Sequence, residues 1–114
     1  MHKDQRVLIT GGAGFVGSNL VHKMVSLGAK VTVLDNFHKD YGANIFNLLG
    51  VEEKIELVRG DITDLPLVQK LVQGKDTIYH VAAQCSHVDS MIDPWLDVDY
   101  NCRGALSILE AAKQ

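Results

Sequence analysis

A short β-branched run, Arg6-Val7-Leu8-Ile9-Thr10, passes straight into Gly11-Gly12-Ala13-Gly14-Phe15-Val16-Gly17, and an apolar stripe of Phe15, Leu20, Met24 and Leu27 follows. No other stretch constrains the fold as much. The run is too short for a helix and is stopped by glycine, so it is predicted to be a buried strand. The stretch from Gly14 to Leu27 has helical length and period, and Gly28 supplies its stop. A strand turned by glycines directly into a helix is the opening of a βαβ unit.

The rest of the chain repeats that alternation. Strands are predicted over Val7–Ile9, Val31–Leu34, Ile55–Val58 and Thr77–His80. A short helix is expected around Asn44 to Leu49. Thr63 or Asp64 caps a further helix that carries Pro66 in its first turn and ends near Gly74. Asp93-Pro94 starts a last helix, which runs to the C-terminus. Such alternation implies a parallel sheet with crossover helices. The predicted fold is α/β, the first half only of a Rossmann-type doubly wound parallel sheet, in strand order 3-2-1-4. Residues 1–114 contain no linker, repeat or low-complexity tract and form one unit.

Composition removes several function classes. With 46% hydrophobic and 22% charged residues, the chain is ordinary for a soluble domain. A net charge of −3 argues against a nucleic-acid-coating surface. No apolar run approaches the ~20 residues of a membrane span. The polar start and the glycines behind it do not form a signal peptide, so a cytoplasmic location is expected. The two cysteines, Cys85 and Cys102, are too few for a disulfide framework and are expected to be reduced and buried.

The glycine loop gains meaning from its surroundings. Strand before, helix after, and an acid roughly 20 residues on at the end of the next strand match the dinucleotide fingerprint. Asp35 is that acid. Gly11 turns the backbone, Gly14 lets it approach a pyrophosphate, and Gly17 packs the helix on the strand. Phe15, Val16 and Gly17 open the helix whose free N–H groups hold phosphate. Asp35 accepts the hydroxyl protons of an adenosine ribose and repels a 2′-phosphate, which favours NAD over NADP. No Gly-Lys-Ser or Gly-Lys-Thr follows, so a Walker-type loop is excluded.

The spacing Gly11-x-x-Gly14-x-x-Gly17 resembles the extended short-chain dehydrogenase/reductase family, and within it the NAD-dependent nucleotide-sugar epimerases and dehydratases. Further matches follow in order: Asp35-Asn36-Phe37, Gly60-Asp61-Ile62-Thr63-Asp64, His80-Val81-Ala82-Ala83-Gln84, and Asp93-Pro94 followed by Asn101-x-x-Gly104 and Leu109-Glu110-Ala111-Ala112. The resemblance implies that Asn36 flanks the ribose acid and that Asp61 and Ile62 lie against the adenine. It implies that Val81, Ala82 and Ala83 line the path to the nicotinamide, and that Asn101 is an inward polar residue organising the site. It also implies a loose adenine contact for Asn44 and a substrate-side loop from Cys85 to Ser90. The implied partners are a nucleotide-sugar in a full-length parent and a second copy of the chain.

The family's chemistry depends on a Tyr-x-x-x-Lys pair, whose tyrosine needs a pKa brought near working pH. Four residues beyond the three tyrosines, Tyr41, Tyr79 and Tyr100, stand Ile45, Ala83 and Gly104. None is lysine, so no catalytic residue is assigned and the chain alone is expected to be inactive. It is expected to be the N-terminal NAD-binding portion of a longer enzyme. That enzyme would be an epimerase or dehydratase acting by transient oxidation at C4 of the sugar. A reductase of the same superfamily and a non-catalytic NAD-sensing module stay open as alternatives.

The five histidines are scattered, and Asp89, Asp93, Asp97 and Asp99 lack calcium-loop spacing, so no metal site is assigned. Ser86 beside His87 has no third orienting group. The last helix carries two apolar stripes. One runs Trp95, Val98, Cys102, Leu106 and Leu109; the other includes Leu96, Tyr100, Ile108 and Ala111. A helix lying only on a sheet needs one stripe, so a second partner is expected.

Overall fold

The computed structural model describes residues 3–38, 42–82 and 91–113. Four parallel strands form one sheet: β1 Arg6–Thr10, β2 Lys30–Asp35, β3 Ile55–Arg59 and β4 Thr77–His80. Their order is β3-β2-β1-β4, as the sequence predicts. The register sets Val7 beside Val31 and Thr77, and Asp35 beside Arg59.

Side chains alternate across the sheet, so each strand feeds two cores. Val7, Ile9, Val31 and Val33 face helix α1, Phe15–Ser26, which contributes Val21 and Met24. A 3₁₀ turn, Ile45–Leu48, adds Leu48 to that face. Leu8 and Leu34 point the other way, under α2, Leu65–Val72. Both leucines are fully buried, each contributing about 1.5–3 kcal/mol relative to exposure. Asp64 caps α2 by accepting from Leu67 N at 3.3 Å, and Pro66 follows in the first turn.

The last helix departs from expectation. It begins as α3, Pro94–Val98, widens into a π turn over Asp99–Arg103, and resumes as α4, Gly104–Ala112. Ile108 and Ala111 of α4 pack beside Val68 and Leu71 of α2. The opposite stripe stays outside: Trp95 is 77% exposed, Leu106 56% and Leu109 64%. Cys102 lies on that outward stripe and is exposed, which corrects the expectation that it is buried. Cys85, and with it the stretch Cys85 to Ser90, lies outside the described residues. Among the described residues no helix is long and apolar enough to cross a membrane.

Candidate functional site

The carboxyl ends of β1, β2 and β4 open onto a cleft of about 330 Å³. Gly11, Gly14, Phe15, Val16, Gly17, Asp35, Asn36, Ile62, Val81 and Ala82 all line it. Ten residues selected from sequence therefore meet in one place. The lining also includes Leu34, His38, Ala43 and Gly60, which sequence reasoning did not assign.

Two glycines make the loop possible. Gly11 has φ +72°, and a Cβ there would stand 2.7 Å from Ala82 N. At Gly17 a Cβ would overlap the Gly11 carbonyl oxygen, so α1 can approach the loop only without a side chain. The first-turn N–H groups of α1 have no carbonyl one turn back to bond. No side chain caps them and no acid occupies that turn. They meet the cleft at Phe15, Val16 and Gly17, where the helix dipole favours an anion.

Asp35 is buried at the end of β2. Its Oδ2 accepts from Ala13 N at 3.0 Å and its Oδ1 from Phe37 N at 2.8 Å. Each carboxylate oxygen has a second lone pair for a ligand hydroxyl. The Ala13 carbonyl accepts from Asn44 N at 3.1 Å and from Asn47 Nδ2 at 2.8 Å. Asn47 carried no sequence signal, since its contact spans 34 residues. The Asn44 side chain caps the 3₁₀ turn at Phe46 N, and its main-chain N–H is what reaches the glycine loop.

Three other assignments fall differently. Asp61 Oδ1 accepts from Thr63 N and Thr63 Oγ1, and Asp61 stands beside the lining rather than in it. Asn101 sits in the π turn, donates to Asp97 Oδ1 at 2.9 Å, and is not part of the lining. Ala83 lies outside the described residues.

Thr10 ties the loop to β4. Its hydroxyl oxygen accepts from Val81 N at 3.1 Å and Ala82 N at 3.2 Å, while Oγ1 and His80 Nδ1 are 2.8 Å apart. With both lone pairs taken, the hydroxyl donates its proton to Nδ1, which fixes His80 as the neutral tautomer protonated at Nε2. Desolvation lowers the His80 pKa below its ordinary 6.5. The unfolded chain therefore takes up this proton first as pH falls. The contribution of His80 to stability is whole above about pH 6.5, declines below it, and levels off once the folded ring protonates. Urea denaturation between about pH 7.5 and 5.5 is expected to show a larger acid loss for the wild type than for His80→Gln, which keeps an acceptor without titrating. Equal losses would remove this role.

Among the described residues, no group of three or more His, Cys, Asp or Glu side chains forms a metal centre.

The GDP-mannose 4,6-dehydratase family matches the chain over residues 8–114. A dTDP-glucose 4,6-dehydratase of Mycobacterium tuberculosis is 45% identical over 114 residues, which covers 96% of this chain and 33% of that protein. Among solved structures, an epimerase from Methanothermobacter thermautotrophicus superposes with a TM-score of 0.89 at 35% identity, over 98% of this chain and 32% of its own. The dTDP-glucose 4,6-dehydratase DesIV of Streptomyces venezuelae, solved with NAD bound, gives 0.85 at 31% identity, over 95% of this chain and 35% of its own. The chain thus spans about a third of the length of the relatives it matches.

Proposed function

Because the chain belongs to the GDP-mannose 4,6-dehydratase family, within the extended short-chain dehydrogenases/reductases, we propose that it is the NAD(H)-binding N-terminal segment of a nucleotide-sugar epimerase or dehydratase. One observation carries the reading. An uncapped helix N-terminus and a buried carboxylate line the same cleft. That pairing of donors and acceptor suits a pyrophosphate at the helix and an adenosine ribose at the carboxylate.

The N–H groups of Phe15, Val16 and Gly17 hold the phosphates. Asp35 accepts from the ribose hydroxyls while keeping its bonds to Ala13 and Phe37. Ile62 and Gly60 offer an apolar wall to the adenine. Asp61 uses the lone pairs that Thr63 leaves to accept from the adenine amino group. Val81, Ala82 and Ala83 give small, water-excluding contacts toward the nicotinamide, and Asn101 supports the site from the π turn. NAD, when bound, supplies the hydride acceptor for transient oxidation at C4 of the sugar. The sugar-binding and proton-transfer groups belong to sequence outside these 114 residues.

Calorimetric titration tests the reading. NAD is expected to bind the chain weakly and NADP at least ~10-fold more weakly, the equivalent of about 1.4 kcal/mol. Equal affinities would overturn the role of Asp35, and no NAD binding by the full-length protein would overturn the reading as a whole. The 114-residue chain is expected to convert no nucleotide-sugar, because no tyrosine here is followed by a lysine four residues on. Measurable conversion would refute that.

A second copy is the partner best suited to the exposed stripe of Trp95, Val98, Leu106 and Leu109. Large apolar side chains exposed along one helix mark an interaction site where they cluster. Among the described residues β4 also has an unpaired outer edge, which adds free N–H and C=O groups. Light scattering is expected to show self-association that Trp95→Ser weakens; a clean monomer at high concentration would count against it. The reading places the protein in the cytoplasm.

A further inference from the structure

The register sets Arg59, the last residue of β3, beside Asp35. Paired residues of parallel strands point to the same face of the sheet. The guanidinium carbon of Arg59 stands 4.1 Å from the centroid of the Phe37 ring. Phe37 adopts φ +55°, unusual for a bulky residue, and its N–H is the donor on Asp35 Oδ1. Gly60, next in sequence to Arg59, donates to the Asp35 carbonyl at 3.1 Å and lines the cleft. Arg59 thus stands one residue from the ribose end of the cleft. Among the described residues it has no carboxylate partner.

We infer that Arg59 is a second specificity-determining residue of this cleft, a cation able to meet the 2′-phosphate of NADP and set against Asp35, which repels it. The inference rests on the reading of the cleft as a dinucleotide site. An exposed cation–π contact is weaker than a charge-assisted, forked bond to phosphate. A 2′-phosphate draws Arg59 off the Phe37 ring, whereas a bare 2′-hydroxyl leaves it seated. Discrimination between NAD and NADP is therefore the balance of Asp35 and Arg59, and not the work of Asp35 alone. The guanidinium geometry matters, since lysine supplies charge without the planar fork.

The test is the affinity of NAD and NADP for the full-length protein and its variants. Arg59→Ala is expected to weaken NADP about tenfold and leave NAD within about twofold, the difference of one charge-assisted phosphate contact. Arg59→Lys recovers part of the loss. Asp35→Ala is expected to improve NADP relative to NAD, and the double variant Asp35→Ala/Arg59→Ala to lose that gain. Where wild-type NADP affinity is too weak to measure, the two Asp35→Ala proteins carry the comparison. A merely structural role for Arg59 moves both cofactors by the same factor, and that result, or no change in either, would overturn the inference. Wild-type protein that binds NAD while Arg59→Ala leaves the NADP ratio intact sinks this inference alone. Wild-type protein that binds no NAD removes the underlying reading and this inference with it.

Discussion

Gly17→Ala is expected to abolish measurable dinucleotide binding and to lower folding stability as well. The added methyl would lie inside the contact radius of the Gly11 carbonyl oxygen, with the Gly12 Cα at 2.9 Å, and both are backbone atoms that cannot rotate away. Relief requires α1 to move off the loop, which separates its first-turn N–H groups from the turn that aims them. Overpacking of this kind costs about 3 kcal/mol, equivalent to a loss on the order of a hundredfold if it falls on binding. Gly14→Ala separates the two effects. A Cβ at Gly14 meets nothing nearer than 3.4 Å, so thermal melting should barely change. Its methyl would still occupy the lining and weaken the cofactor. Calorimetry and melting on the two variants check the contrast; a Gly17→Ala protein that binds NAD within a few-fold of wild type would show that the loop can yield.

Thr10→Val is expected to destabilise the chain by about 1–2 kcal/mol, the lower part of the range for a polar group left without its partner, because Ala82 is half-buried and His80 is exposed. Valine fills the same volume at a fully buried position but offers no oxygen to Ala82 N and no proton to His80 Nδ1. Val81 N keeps its bond to the Thr10 carbonyl at 3.1 Å, so the loss concentrates on Ala82 and His80. Both sit where β4 meets the cleft, and cofactor affinity should fall with stability. Thr10→Ser keeps the hydroxyl and should retain most of both. Urea denaturation of the pair is decisive: a valine variant as stable as the serine variant would mean that the hydroxyl is dispensable.

The strands and the glycine loop were legible in the sequence because they depend on local rules. Short β-branched runs stopped by glycine, an acid at the end of the second strand, and a proline behind an N-capping aspartate each constrain the chain within a few residues. Six of the ten site residues came together because one fingerprint specifies them jointly, and Asn36, Ile62, Val81 and Ala82 joined them through the family resemblance. The π turn left no such trace. One extra residue inside an amphipathic helix blurs its period without erasing it, so the sequence suggested an unbroken helix from Pro94. Cys102 was misjudged for a related reason, since composition favours buried cysteine and only the packing reveals which stripe faces outward. Asn47 on the Ala13 carbonyl and Thr10 on His80 are contacts across 34 and 70 residues. Periodicity carries no information at such separations. The Thr63 bonds to Asp61 Oδ1 are a local turn contact that the family motif does not specify.

The Ala13 peptide group bears on the thermodynamics of ligand capture. Its N–H is held by Asp35 and its carbonyl by Asn44 and Asn47, so the glycine-rich loop is restrained from two directions. Glycines lose more conformational freedom on ordering than any other residue. In this chain the bonds on Ala13 shift much of that loss to folding, away from association. A ligand arriving at the loop meets a receptor that is largely in shape, so its binding entropy is weighted toward released water and its own lost rotors. Encounter then proceeds without waiting for the backbone to rearrange, and the lifetime of the complex is decided by how fast the ligand leaves.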